Sequence, residues 1–168
     1  MDRISLTTQL SEQEYIKANL YLVYRKWTGK FFLGMGLFTL LCVLFLYFTG
    51  ALTDIPWVGL LFGFYFTLGF PGQIYFAAKK SYKTDKRVSE PMVYDFNREN
   101  IQITGESFQT KLSWDKVYSL TESKAWVLLW STPQVANIIP KRDFSPAQLR
   151  FFKEIAQAQK GPKNFLKF

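Results

Sequence analysis

Phe31 to Thr49 reads FFLGMGLFTLLCVLFLYFT, and Trp57 to Ala78 reads WVGLLFGFYFTLGFPGQIYFAA; neither stretch contains a charged residue. From Phe31 to Ala78 the 48 residues carry one charge, Asp54, against 33 in the other 120. As one helix this run would reach about 72 Å, more than twice a hydrocarbon core of about 30 Å. A single crossing is therefore excluded. Gly50 to Pro56 (GALTDIP) has the glycine, aspartate and proline of a tight turn, so the run reads as a helical hairpin, 31–49 and 57–78. The Leu, Val and Phe residues of the first stretch each favour insertion by roughly 0.3 to 0.6 kcal/mol. The alternative, a hairpin buried in a soluble protein, lacks enough other chain to cover it.

The flanks orient the hairpin. Arg25, Lys26 and Lys30 precede it, Lys79, Lys80, Lys83, Lys86 and Arg87 follow it, and the turn has no basic residue. The positive-inside rule then places both termini in the cytoplasm, in a multi-pass protein of an inner membrane. Trp27, Phe31, Tyr47, Phe48, Trp57, Tyr75 and Phe76 stand where interfacial anchors belong. The apolar run starts well inside the chain and ends in aromatics, which argues against a cleaved signal peptide. Gly59, Gly63 and Thr67 share one helical face at small-residue spacing, a candidate packing surface. Its partner is either the first stretch, through Gly36 or Thr39, or a second copy in a homo-oligomer. Pro71-Gly72 predicts a kink or an end to the regular helix.

Outside the hairpin the pattern is that of an α+β domain. Ile4, Leu6 and Thr8 alternate as a strand, and Ser11 with Glu14 forms a capping box for a helix that runs into the first span. Residues 1–30 thus lead into the membrane, and residues 79–90 read as a basic juxtamembrane helix or linker. Beyond Pro91 the period becomes two. Strands are expected over 92–96, 101–104, 108–112, 117–121, 125–130 and 134–139, and Ser145-Pro146-Ala147-Gln148 opens a capped helix with Leu149, Phe152, Ile155 and Ala156 on its apolar face. Seven strands closed by a C-terminal amphipathic helix suggest a pleckstrin-homology-like β-barrel. Its body is 91–160, and the hairpin interrupts it after the first strand. The tail 161–168, basic and aromatic, either lies on the membrane or frays.

The sequence resembles a bacterial family of membrane proteins called YcxB-like. The resemblance rests on Leu6-Thr7 and Glu14-Tyr15, on Ser113-Trp114 with Val117, on the run from Ala125 to Trp130, and on Ile138-Ile139-Pro140-Lys141-Arg142-Asp143-Phe144. It implies a two-span protein with a pleckstrin-homology-like C-terminal domain, in a family without an established biochemical activity.

Candidate chemistry is sparse. The chain has no histidine and one cysteine, Cys42, so Ser-His and Cys-His pairs, histidine-ligated metals and internal disulfides are absent. Glu106, Asp115, Glu122 and Asp143 stand beside turn signals and pair with no evident base or ligand set. No cofactor is expected, and an enzyme is not. Lys141, Arg142 and Arg150, with nearby Lys153, and the juxtamembrane Lys79, Lys80 and Lys83 are candidate contacts for membrane lipids or other anions. The plainer reading of these charges is topology and solubility. Trp114, Trp126 and Trp130 line either a recognition groove or, as is commoner in a small β domain, the core. The net charge of +8 does not imply nucleic acid, because ten of the 21 basic residues precede Pro91 and mostly flank the spans. The expected function is a non-enzymatic inner-membrane protein whose cytoplasmic module binds a protein or peptide. Anionic-lipid sensing and an accessory role in a membrane complex are the alternatives.

Overall fold

The structure, a computed structural model, describes residues 3–51, 54–159 and 161–166. The chain divides into two units, residues 1–10 with 85–168 and residues 11–84. The second is inserted into the first. It leaves after strand β1 (Arg3–Thr8) and returns before β2 (Met92–Asn97), and Thr8 and Met92 are register partners in the antiparallel β1–β2 pair.

In the inserted unit, α1 (Glu12–Arg25) starts at a complete capping box, in which Ser11 Oγ accepts from the Glu14 amide and the Glu14 carboxylate accepts from the Ser11 amide. The helix does not run into the first span. Lys26 is extended, with φ −71° and ψ 143°, and separates α1 from α2 (Trp27–Phe48). Gly29 makes this elbow possible, because a Cβ there would strike the carbonyl group of Val23. At its far end α2 closes in a Schellman motif: Gly50 has φ +72°, its amide donates to Tyr47 O and the Ala51 amide donates to Leu46 O. The rest of the expected turn includes Leu52 and Thr53, which lie outside the described residues.

The second apolar helix comprises α3 (Trp57–Phe64), a π-helical turn (Tyr65–Gly69) and α4 (Phe70–Thr84). Pro71 has no N–H for the carbonyl four residues earlier. The widened turn stands directly before it, and the helix continues for three further turns, so the expected disruption is a local change of helix type. Residues 79–84 are its helical continuation, packed on α1. A four-residue helix, α5 (Lys86–Ser89), follows, capped by Asp85.

The β unit has two four-stranded sheets. One has the order β1-β2-β3-β4, with β3 (Asn100–Thr104) and β4 (Gln109–Ser113). The other has the order β7-β6-β5-β8, with β5 (Ser119–Glu122), β6 (Trp126–Trp130), β7 (Ala136–Pro140) and β8 (Lys163–Phe165). All pairs are antiparallel except β5 with β8. The expected closed barrel is not present among the described residues. β7 ends at Pro140 in a 3-10 turn (Lys141–Asp143), and the outer edge of β1 meets side chains in place of a strand. Gln148 Nε2 donates to Ser5 O, and Arg142 donates to Gln9 O. Part of the tail expected to lie on the membrane or fray is instead an eighth strand, preceded by Gly161, where a Cβ would stand 2.8 Å from Asp115 Cα.

The core lies between the two sheets and α6 (Pro146–Ala158), whose capping box joins Ser145 and Gln148. Ile4, Leu6, Tyr94, Phe96, Ile101 and Ile103 enter it from the first sheet, Leu120, Val127, Leu129 and Ile139 from the second, and Phe152, Ile155 and Ala156 from α6. Trp114 is buried and donates from Nε1 to Asn97 O at 2.8 Å; Trp130 is buried and donates to Thr121 Oγ1 at 3.1 Å. Trp126 is half-buried.

Candidate functional site

The basic residues of the β unit gather at the junction of β7, the 3-10 turn and α6, around a carboxylate that the sequence reading left at the surface. Leu120 and Glu122 alternate along β5, so both project toward the interior. Glu122 has a side chain 4% exposed and lies between two ammonium groups, Lys141 Nζ on Oε1 and Lys153 Nζ at 2.8 Å from Oε2. Lys153 is itself buried, although it follows Phe152 on a helix whose buried face is otherwise apolar. Burial of Glu122 and Lys153 beside the half-buried Lys141 is tolerated because each carboxylate oxygen takes its own donor. The cluster ties β5, the end of β7 and α6 together.

Arg142 is directed elsewhere, to Gln9 O and to the neighbouring Asp143 carboxylate at 3.3 Å. Arg150 is exposed and lines a shallow cleft with Pro146, Leu149 and Lys153. The four basic side chains are thus brought to one end of α6 without converging on a common point. Two serve the internal cluster, one holds the chain just beyond β1, and one faces outward. The parity of Leu120 and Glu122 was the sequence signal for the cluster, and the neighbouring Ser123-Lys124 turn obscured it.

A second polar centre lies in the helical unit. On α4, Lys79 Nζ is 3.8 Å from Glu12 Oε1 and 5.9 Å from the centroid of the Tyr75 ring. Lys80 and Lys83 are exposed. Tyr15 on α1 meets Ser81 at 3.4 Å and the Tyr82 ring at 6.0 Å between centroids, fixing α1 against α4.

The small-residue face of the hairpin is occupied within the chain. A Cβ on Gly36 would stand 2.7 Å from Phe66 Cβ and 3.2 Å from Gly63 O; one on Gly59 would stand 2.8 Å from Val43 Cγ2. Gly63 meets Leu40 in the same way, and Thr67 Oγ1 turns back to Gly63 O at 2.6 Å. The two apolar helices approach closely through these positions, with Phe32 and Phe66 stacked beside them at 5.3 Å. Trp27–Phe48 and Trp57–Thr84 are each long and apolar enough to cross a membrane. Among the described residues, no group of His, Cys, Asp and Glu has the arrangement of a metal site.

Comparison with family models places one segment of this chain. Residues 96–156 match the YcxB-like protein family. The YcxB-like segment begins in β2 and ends in α6, so it contains Glu122, Lys141 and Lys153 and leaves out the helix pair. The match and the two apolar helices fit a membrane protein. Comparison with the curated proteins and with the solved structures finds no match.

Proposed function

We propose that this chain is a non-enzymatic, membrane-anchored binding protein. The helix pair is its anchor, and the β unit is a pleckstrin-homology-like module that engages a protein or peptide segment on the cytoplasmic face of a bacterial inner membrane. The observation that carries the reading is the state of the sheet edges. The β1 edge is met by Gln148 at Ser5, Arg142 holds Gln9 just beyond its end, and β7 ends in a proline. β4 pairs only with β3 among the described residues and presents Gln109, Thr110 and Lys111 to solvent. An extended partner segment can add to such an edge through main-chain hydrogen bonds. Two sheets with a C-terminal helix packed into their shared core support the pleckstrin-homology-like assignment. Binding is preferred to catalysis because the chain has no histidine and its one cysteine lies in the first apolar helix.

A photocrosslinking residue at Thr110, in native membranes, should capture a discrete protein that a probe at Lys124, in the β5–β6 turn, does not. Equal capture at both positions, or none at Thr110, would remove the edge from the proposal. In a Cys42→Ala background, a reporter cysteine at Asp54 should label only from outside and one at Lys163 only from inside. The reverse pattern would put the β unit in the wrong compartment.

A further inference from the structure

Beside the end of the second apolar helix, α1 and α4 enclose a cleft of 490 Å³ lined by Glu12, Ile16, Lys17, Leu20, Tyr75 and Lys79. Its chemistry is divided. Ile16 and Leu20 on α1 and the Tyr75 ring on α4 give an apolar lining, and Ile16 is buried at its base. Lys17 and Lys79 bring two ammonium groups, of which one meets the Glu12 carboxylate at the long distance of 3.8 Å. The three charged groups sum to one positive charge, the complement of a single phosphodiester.

The position of the cleft selects among phosphate-bearing ligands. Tyr75 and Lys79 are one turn apart, where the uncharged stretch 57–78 gives way to lysines, and Phe76 beside them is 70% exposed. Tyrosine and lysine at such a boundary stand at the depth of lipid headgroups. A free phosphate would use the ammonium groups and leave the apolar lining wet. A glycerophospholipid uses both.

We propose that the α1–α4 cleft binds one anionic phospholipid, its phosphodiester on Lys17 and Lys79 and its glycerol and upper acyl segment against Ile16, Leu20 and Tyr75. This rests on the membrane-anchoring part of the reading above and is independent of the β unit's partner. The bound lipid fills the space between α1 and α4 and so fixes the cytoplasmic helix to the span.

The test is native mass spectrometry of the full chain released from phosphatidylcholine nanodiscs doped with phosphatidylglycerol. One phosphatidylglycerol should be retained in preference to phosphatidylcholine. Lys17→Gln with Lys79→Gln should lower its retention roughly tenfold. Lys80→Gln with Lys83→Gln removes the same charge outside the cleft and should leave retention unchanged. Gln13→Trp fills the cleft from its exposed rim without altering charge and should also abolish retention. Thermal unfolding of each variant checks that the helices remain folded. Equal losses from the two lysine pairs, or full retention in Gln13→Trp, would overturn the site. If the chain inserts but shows no lipid preference, the site alone fails; if it does not enter nanodiscs, the membrane reading falls and the site with it.

Discussion

The two units place large and small residues in opposite ways. In the β unit the buried positions are Tyr94, Phe96, Trp114, Phe152 and the aliphatic residues between them. In the apolar helices α2 and α3 the buried positions are Gly29, Gly36 and Gly63, while Phe38 is 68% exposed and Leu61 69%. A soluble domain gains stability by removing apolar side chains from water. For a helix pair lying in lipid, as proposed above, there is no such gradient, so close backbone approach through glycine would hold it together and the bulk would face outward. The lesson is that hydropathy alone does not say which side chains form an interior. On the proposed membrane reading, the solvent around each unit decides it.

The largest expected effect is at the cluster where the β unit buries Glu122 and Lys153. Glu122→Ala leaves Lys141 and Lys153 facing each other without their shared carboxylate, at a cost of about 3–5 kcal/mol. Hydrogen exchange on the full chain in detergent should show β5, β7 and α6 losing protection while α2 and α3 keep theirs. Lys153→Met, which leaves the Glu122 and Lys141 pair in place, should cost less. If β5, β7 and α6 keep their protection in Glu122→Ala, the cluster is not a structural tie.

Helix pairing is broken by adding carbon. Gly36→Leu raises hydropathy and preserves the uncharged span, yet its side chain must displace Phe66 and the Gly63 backbone. Overpacking of this kind costs about 1–3 kcal/mol. Insertion should be unchanged, and a disulfide engineered between Leu40 and Gly63 should form more slowly in the variant. Unchanged crosslinking would mean that the glycine contact does not set the packing of the pair.

Much of this was legible in the sequence, for identifiable reasons. Both capping boxes depend on residues three apart, Ser11 with Glu14 and Ser145 with Gln148, and local spacing is what a sequence displays directly. The strands β1 to β4 showed through alternation, because one face of their sheet meets the core, and β6 showed as a nearly continuous apolar run between turn signals. β8 did not, because three residues are too short to show a period and its pairing with β5 is parallel and distant in sequence. The barrel expectation counted strands correctly up to β7 but could not see whether edge strands pair. At the candidate site, the gathering of Lys141, Arg142 and Arg150 around α6 was readable. The burial of Glu122 and Lys153 was not, since charge next to a turn signal reads as surface until tertiary contacts are known.

The smallest effect lies on the face of the first sheet turned away from the core and separates its ion pair from core packing. Arg3 reaches diagonally across the β1–β2 pair to Asp95, with Nη2 at 2.7 Å from Oδ2 and Nε at 3.2 Å from Oδ1. The Arg3 hydrogen bond holds the Asp95 carboxyl below its ordinary range; partial burial opposes this, and a hydrogen bond from Ser5 adds to the lowering. A carboxyl whose folded value is depressed stabilises the fold above its unfolded value of about 3.9, and that contribution disappears as pH falls through the folded value. The wild-type urea midpoint of the β unit should therefore decline below pH of about 4 more steeply than that of Arg3→Met. Above this window the two proteins should differ by a constant, small amount, because an ion pair with so exposed an arginine is screened by water and salt. Parallel acid limbs in the two proteins would show that Asp95 gains nothing from Arg3. The stability of this sheet would then rest on its buried face alone.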